Sequence, residues 1–236
     1  MNALSSFPLL DLTPPLDPTT LDMKFAPTSM PLQLLLISHA VTNAVRVASF
    51  PTDEPIQAVD FTEAITAVEN IGPIDKFWTG PERRTRETAA NLHLPLPAVV
   101  EPILADCDYG KWKGRRFADI DAEEPDALAN WVSDPDAAPH GGESLLDLFT
   151  RVIPWLDELV NAEGRFVAVS HPPVIRAAIL HALGAPHRTF WRINVEPLCF
   201  ADLRANNGQW TLRSLTQPPL SRPDPDPDPD ALPVAE

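Results

Sequence analysis

Two short apolar runs, each followed at once by a histidine, constrain this chain most strongly. The run at 32–38 (LQLLLIS) precedes His39, and the run at 165–170 (RFVAVS) precedes His171. Continuous apolar runs of this length are typical of strands buried on both faces of a parallel sheet. Because ligands of such sheets bind beyond the carboxyl ends of the strands, both imidazoles are expected to face one crevice if the strands are neighbours.

The segments around these runs alternate between helical and extended patterns. Helices are predicted over 62–71, 81–94, 144–162 and 172–183, and further strands over 75–79, 98–101, 198–204 and 209–215. The stretches 50–60 and 117–140 show no clear pattern and are expected to form loops. We therefore predict an α/β fold, namely a three-layer αβα sandwich with a mostly parallel sheet and a C-terminal hairpin.

The two ends of the chain differ in composition from its middle. Residues 1–31 are rich in Pro, Ser, Thr and Asp without periodicity, so an irregular N-terminal extension is expected there. Residues 217–236 contain Asp-Pro repeats and are predicted to be a disordered acidic tail, because proline removes donors and the aspartates repel one another. A single domain over 32–216 accounts for the rest of the chain.

Charge and composition exclude several classes of partner. The formal net charge of -15 argues against nucleic acid and anionic membranes, although a small anionic substrate is compatible if basic side chains converge locally. Cys107 and Cys199 form neither a disulfide framework nor a metal-ligand spacing. No signal peptide or membrane-spanning run is recognisable, so a cytoplasmic location is predicted.

Further polar candidates follow the predicted strands. Arg83, Arg84 and Arg86 lie near the start of a helix that follows a strand, where an arginine makes bidentate contacts to phosphate oxygens; a solvated helix face is the alternative. Asp106 lies in a loop from which it would donate a proton to a leaving group, and a solvated aspartate is the alternative. The backbone amides of the segment 140–144 (HGGES) are candidate oxyanion ligands.

Taken in order along the chain, these segments resemble the histidine phosphatase superfamily, also called phosphoglycerate-mutase-like, over residues 33–215. The triplet 38–40 (SHA) stands where the family has Arg-His-Gly, and Thr42 matches the threonine three residues after the family's histidine. Residues 169–173 (VSHPP) stand at the family's V-S-H-G-G. The resemblance thus includes both strand-end histidines.

The arginine and the acid of the family are matched as well. Residues 80–89 (GPERRTRETA) follow S-P-L-x-R-A-x-Q-T-A, which places Arg84 at the phosphate-binding arginine. Residues 104–114 follow L-x-E-x-x-x-G-x-W-E-G, with Asp106 at the glutamate that serves as general acid, and G-E-S is intact at 142–144. Within the superfamily the chain resembles the small phosphatase branch that includes alpha-ribazole phosphatase.

The resemblance implies a metal-independent phosphoric monoester hydrolase that acts on a small phosphorylated substrate without a cofactor. His39 would attack phosphorus and become phosphohistidine, which water then hydrolyses. Arg84 and His171 would neutralise charge on the equatorial oxygens. Asp106 would protonate the leaving oxygen and then deprotonate the attacking water.

One departure from the family affects the phosphate site. Ser38 replaces the arginine before the nucleophile, and the loss of one charged donor is expected to cost roughly 3 kcal/mol of transition-state stabilisation. Arg46, on the loop after His39, is a candidate replacement, with simple surface exposure as the alternative. Thr42 is a further candidate phosphate ligand.

Two other functions stay open on the residues alone. A degenerate family member would bind a phosphorylated metabolite or a protein partner without turnover. A metal-dependent hydrolase would use His39, His171, Asp106 and His140, although no H-x-H or H-E-x-x-H spacing occurs.

Overall fold

A computed structural model of the protein describes residues 31–217, which contain a six-stranded sheet. Its strands are β1 (Leu32–Ser38), β2 (Lys76–Thr79), β3 (Val99–Val100), β4 (Arg165–Ser170), β5 (Phe200–Asn206) and β6 (Gln209–Thr216). The strand order is β3-β2-β4-β1-β5-β6. The first four of these positions form a parallel sheet, and β5 and β6 add an antiparallel hairpin at one edge.

Helices connect the strands of the described region. They are α1 (Asn43–Arg46), α2 (Thr62–Glu69), α3 (Arg83–Asn91), α4 (Phe117–Glu123), α5 (Pro125–Ser133), α6 (Leu145–Leu159) and α7 (Pro172–Leu183). Short 3-10 helices occur at Pro102–Leu104, Gly110–Trp112 and His187–Arg192. None of the described helices is both long and apolar enough to cross a membrane.

Both faces of the sheet are buried. Consecutive residues of β1 point to opposite faces, so they enter two different cores. Leu34 and Leu36 belong to a core shared with α6 and α7, whereas Leu35 and Ile37 belong to a second core shared with α2 and α3. Burial on both faces explains the continuous apolar run of this strand. The predicted three-layer α/β arrangement with a mostly parallel sheet and a C-terminal hairpin is confirmed.

Several predicted bounds need correction. Strands β1 and β4 and helix α7 occur as predicted, but α3 begins at Arg83 rather than at 81 and ends at Asn91 rather than at 94. Residue Ser144 is the N-cap of α6 and not part of it, and its hydroxyl accepts the Asp147 N–H in a capping box. The expected loop at 117–140 contains α4 and α5, which cover a cluster of aromatic residues.

The expected N-terminal extension and acidic tail lie outside the described residues, except for one residue at each junction. Pro31 forms an isolated bridge with Glu163, and the Gln217 side chain donates a hydrogen bond to the Pro197 carbonyl (3.0 Å). The described chain therefore begins and ends on the sheet domain.

Candidate active site

The strand order brings the two strand-end histidines together. Strand β1 pairs with β4 in parallel register, with Ser38 opposite Ser170, so the next residue of each strand lies at the same edge of the sheet. The ring centroids of His39 and His171 are 5.3 Å apart, and the rings are tilted by 59°. Both side chains are buried. The two imidazoles thus lie side by side, although His39 lines the adjoining cavity and the fully buried His171 does not.

The surroundings of His39 fix its protonation state and its tautomer. Its Nδ1 lies 2.8 Å from the carbonyl oxygen of Ala40, which only accepts hydrogen bonds, so Nδ1 carries the proton. Burial, together with the charges of His171 and Arg84, lowers the pKa of His39 to about 3. The ring is therefore neutral near pH 7, and the lone pair on Nε2 is available as a nucleophile.

His171 is held by a carboxylate that the sequence does not single out. Its Nε2 lies 2.7 Å from Oε2 of Glu82, the N-cap residue of α3. Burial raises the pKa of Glu82, but the hydrogen bond and charge of His171 outweigh it and lower that pKa to about 2. Glu82 is thus an anion that accepts the Nε2–H of His171. The other ring nitrogen of His171, Nδ1, is buried and lies 3.5 Å from Asp106. It has no hydrogen-bond partner in the described region.

The small size of Gly80 makes this contact possible. A Cβ atom at this position would lie 2.8 Å from the Leu104 carbonyl oxygen and 3.2 Å from both Nε2 of His171 and Oε2 of Glu82. Residue 80 directly follows β2, and its N–H donates to the carbonyl oxygen of Val169 of β4. A larger residue would therefore intrude between the histidine and its carboxylate.

Arg84 and Asp106 form a buried ion pair beside the histidines. Nη2 of Arg84 is 2.6 Å from Oδ2 of Asp106, and Nη1 donates to the Thr52 carbonyl (2.7 Å). The other oxygen of Asp106 accepts the N–H of Cys107 (2.8 Å). The Arg84 Nε is buried without a partner among the described residues. A donor that is charged, buried and incompletely satisfied suits a bound oxyanion.

The loop that carries Asp106 is fixed by a second ion pair. Arg151 of α6 makes two contacts of 2.9 Å with the Glu143 carboxylate. Its Nη1 also donates to the carbonyl oxygens of Ile103 and Ala105, directly before Asp106. The glutamate of the intact G-E-S motif therefore acts at a distance, by positioning the acid loop.

The amides of the HGGES segment are not free to bind an oxyanion. The Gly142 N–H donates to Nδ1 of His140 (3.0 Å), the Glu143 N–H to the Asp108 carbonyl (2.7 Å), and the Ser144 N–H to Asp147 (3.0 Å). The interpretation of this segment as an oxyanion site is therefore wrong for the described arrangement.

The structure shows what Ser38 and its candidate replacement, Arg46, do in place of the family's arginine. The buried hydroxyl of Ser38 donates to the Glu196 carbonyl and accepts the Cys199 N–H (2.9 Å), so it closes the turn before β5 and offers nothing to an anion. Arg46 is exposed, and its Nη1 donates to Gln57 (3.1 Å). The structure does not bring Arg46 among the residues that line the cavity at His39.

Of the remaining candidates, Thr42 lies at the cavity of His39, whereas His140 lies in an aromatic cluster. Thr42 is buried, lines the cavity at His39, and caps α1 by accepting the Val45 N–H (3.4 Å). His140 packs against Trp112, with ring centroids 4.9 Å apart, in the aromatic cluster under α5. Residues 31–217 contain no group of three or more His, Cys, Asp or Glu side chains arranged to hold a metal ion, and His140 of the metal alternative lies in the aromatic cluster rather than beside His39, His171 and Asp106.

Two cavities adjoin at Asp106. The first, of about 260 Å³, contains His39 and Thr42 and has aromatic walls; the second, of about 360 Å³, contains Glu82 and Arg84. Asp106 lines both, so its ion pair with Arg84 stands between them. The first cavity also contains Arg176 of α7, which sequence reasoning missed. Its spacing of four from Pro172, on the same helix face, is the signal that would have indicated it.

Comparison with known proteins identifies the family. The model of the histidine phosphatase superfamily (branch 1) matches residues 34–218. The chain belongs to this superfamily. Glucosyl-3-phosphoglycerate phosphatase of Mycobacterium tuberculosis is 33% identical over 154 residues, 62% of this chain and 69% of that protein. Adenosylcobalamin/alpha-ribazole phosphatase of Salmonella typhimurium is 25% identical over 203 residues, 82% of this chain and 100% of that protein.

Solved structures of the superfamily agree with the fold. The mycobacterial glucosyl-3-phosphoglycerate phosphatase in complex with VO3 has a TM-score of 0.65 and 26% identity, covering 76% of this chain and 96% of the other. A putative alpha-ribazole-5'-P phosphatase from Escherichia coli has a TM-score of 0.69, covering 79% and 96%; at 24% identity it supports the fold alone. The predicted family and its phosphatase class are confirmed.

Proposed function

We propose that this chain hydrolyses small phosphomonoesters through a phosphohistidine formed at His39, without a metal ion. The observation that carries the proposal is the buried, neutral imidazole of His39, whose Nδ1–H is bound to Ala40 and whose Nε2 lone pair is therefore free. Relatives that are phosphatases of small phosphorylated molecules support the same reaction. A cytoplasmic location and the lack of nucleic-acid partners stay predictions of the sequence.

Substrate binding would begin with an exchange at Arg84. In the described arrangement Nη2 of Arg84 is occupied by Asp106, so a phosphoryl oxygen has to take the place of that carboxylate. A carboxylate that loses its cation beside a dianion binds a proton more readily, because like charge disfavours the ionised form. After the exchange, Asp106 would take up a proton from solvent and become the acid that the next step needs.

The transfer itself has two displacements. Nε2 of His39 forms a bond to phosphorus while the ester P–O bond breaks, and Asp106 gives its proton to the leaving alkoxide. Water then attacks the phosphohistidine as Asp106 takes one of its protons, which releases inorganic phosphate and restores neutral His39. Arg84 and His171 stabilise the charge on the equatorial oxygens in both steps.

Glu82 would support His171 throughout this cycle. Because Glu82 accepts the Nε2–H of His171 at 2.7 Å, the ring is fixed with Nδ1 directed toward Asp106 and the reacting centre. A fixed donor stabilises a transition state without reorganising during the reaction. Glu82 is a positioning residue in this scheme, since it acts through His171.

The test compares two histidine variants with 4-nitrophenyl phosphate, with and without EDTA. Asn at position 39 keeps an amide N–H for the Ala40 carbonyl but has no nucleophilic nitrogen, and His93→Asn is the control because His93 is exposed. We expect His39→Asn to lose roughly a thousandfold in kcat and His93→Asn to retain it. Turnover should survive EDTA, and a radiolabelled phosphoester should leave an alkali-stable, acid-labile label on the wild type.

Other outcomes distinguish the alternatives. Turnover that EDTA abolishes would refute the metal-independent route. A wild-type protein that binds inorganic phosphate but hydrolyses nothing would favour the degenerate, non-catalytic member that binds a phosphorylated metabolite or protein partner; the burial of Ser38, which replaces a family arginine, is the observation behind that second candidate.

A further inference from the structure

The cavity at His39 combines a few polar groups with an apolar wall. His39, Asp106 and Arg176 are among its polar residues, and most of the others are apolar. The aromatic residues are contributed by separate segments, namely Phe50, Tyr109, Phe117, Trp131, Phe190 and Trp191. A volume of about 260 Å³ exceeds what a phosphoryl group alone occupies, so the leaving group of a substrate would lie against these rings.

Arg176 is a cation in this wall without an anionic partner. Its Nε donates to the Ile193 carbonyl (2.8 Å), and its guanidinium carbon lies 5.6 Å from the centroid of Phe190 and 5.9 Å from that of Trp191. Neither Nη group donates to a described residue, and Arg176 is one of the residues that line the cavity. No carboxylate within residues 31–217 forms an ion pair with it.

Keeping such a cation in an aromatic wall has a cost. Burial lowers the pKa of Arg176 from its usual value, although a guanidinium stays charged at neutral pH. A partly desolvated charge without a counter-ion destabilises a fold. The paired N–H groups of a guanidinium match the two oxygens of a carboxylate or of a phosphate.

The location of Arg176 points to the leaving group rather than to the transferred phosphoryl group. The ring of His171 lies 5.3 Å from that of His39, and His171 and Arg84 both lie against Asp106, so these two groups belong to the phosphoryl site. Arg176 lines the same cavity as Asp106, and the nearby charges of Tyr109, Asp106 and Glu196 partly offset the effect of burial on its pKa. Because Asp106 would protonate the leaving oxygen, a leaving group in this cavity would come within reach of Arg176.

We propose that Arg176 binds a second oxyanion, on the leaving group, so that the preferred substrates are phosphomonoesters that also carry a carboxylate or a second phosphate. This inference rests on the proposed phosphatase activity. The short apolar part between the two anionic groups would pack against Phe190 and Trp191. The selectivity therefore comes from a residue that takes no part in the chemical step.

The test compares three aryl phosphates that share one ring. Phenyl phosphate has no second anion, 4-carboxyphenyl phosphate has a carboxylate, and 1,4-phenylene bisphosphate has a second phosphate, so the last two distinguish the sources of the oxyanion. We expect the wild type to prefer at least one of these two over phenyl phosphate in kcat/KM. Arg176→Met should lower that preference roughly 10- to 100-fold, the range for hydrogen bonds to a charged group.

The control is Arg192→Met, because Arg192 is an exposed arginine of the 3-10 helix that carries Trp191 and does not line the cavity. This variant should keep the wild-type preference, and Arg176→Lys should keep part of it. A wild type with no preference for a second anion would overturn the proposal. So would an Arg176→Met variant that loses activity equally on all three substrates, because Arg176 would then act on the transferred phosphoryl group.

Failure of the proposed function gives a different result. If the wild type hydrolyses none of the three esters, the phosphatase proposal fails, and the Arg176 site is then judged by calorimetric binding of 4-carboxyphenyl phosphate. Tighter binding of this ester than of phenyl phosphate to the wild type, lost in Arg176→Met, supports the site. Equal binding of both esters overturns it. Thermal unfolding of each variant reveals whether a loss reflects misfolding.

Discussion

His39 should make the protein lose stability at mildly acidic pH. Its pKa is lowered from 6.5 to about 3 by burial and by the charges of His171 and Arg84. Below pH 6.5 the unfolded chain therefore takes up a proton at this residue that the folded protein does not. The contribution is fully favourable above pH 6.5 and is lost progressively as the pH falls toward 3.

The size of the effect follows from that window. Each pH unit within it costs about 1.4 kcal/mol, so the free energy of unfolding should fall by about 2 kcal/mol between pH 7 and pH 5 on account of His39 alone. Aspartates and glutamates change little in this range, because their ordinary pKa values lie near 4. His39→Asn removes the titrating group and should flatten the pH dependence by that amount.

Urea unfolding of the wild type, His39→Asn and His93→Asn at pH 7, 6 and 5 measures this difference at constant ionic strength. His93→Asn should follow the wild type, because His93 is exposed. If His39→Asn lost as much stability between pH 7 and pH 5 as the wild type does, His39 would not be held neutral by its surroundings. The proposed resting state of the nucleophile would then be wrong.

Three further substitutions test other contacts of the site. Glu82→Gln should lower kcat roughly tenfold with little change in KM, because His171 loses its anionic acceptor; an unchanged kcat in steady-state assays would remove Glu82 from the site. Arg46→Ala should retain full activity, since Arg46 is exposed and bonded to Gln57; a tenfold loss would return it to the phosphate site. Gly80→Ala should destabilise the protein by about 1–3 kcal/mol in thermal unfolding, because its Cβ would lie 2.8 Å from a backbone oxygen; a wild-type midpoint would contradict this.

The elements that could be predicted from the sequence are those with a clear hydrophobic pattern or with marked ends. Strands β1 and β4 are buried on both faces, which produces unbroken apolar runs with sharp ends. Helix α7 begins with two prolines and ends at Gly184 with φ 57°, so both ends are marked by residues with strong backbone preferences. By contrast, α4 and α5 are short and half-exposed, and their helical form depends on the packing of their residues Ile120 and Trp131 against Phe50.

The same division applies to the candidate site. His39, His171 and Arg84 follow strands of the parallel sheet, so their meeting could be anticipated from strand order. Glu82 lies two residues before Arg84. Its contact with His171 depends on the absence of a side chain at Gly80, and the sequence does not show that these three residues meet in the folded chain. Likewise, the sequence shows at Ser38 only the absence of the family's arginine. The role of its hydroxyl, which closes a turn at Glu196 more than 150 residues later, depends on the tertiary fold.

The two arginines of the site differ in their ion pairs, and we expect them to affect different kinetic constants. Arg84 is paired with Asp106, and His171 with Glu82, so a phosphoryl group has to displace Asp106 before it can bind Nη2 of Arg84. Under the proposed mechanism this exchange produces the acid, so the contribution of Arg84 should appear mainly in kcat. Arg176 has no pair to break, and under the proposed subsite it binds the leaving group equally before and during the reaction. Such uniform binding lowers KM without raising kcat. Under this scheme Arg176 restores some of the substrate affinity that is lost where Ser38 replaces the family's arginine. It does not restore the transition-state stabilisation that this arginine would supply.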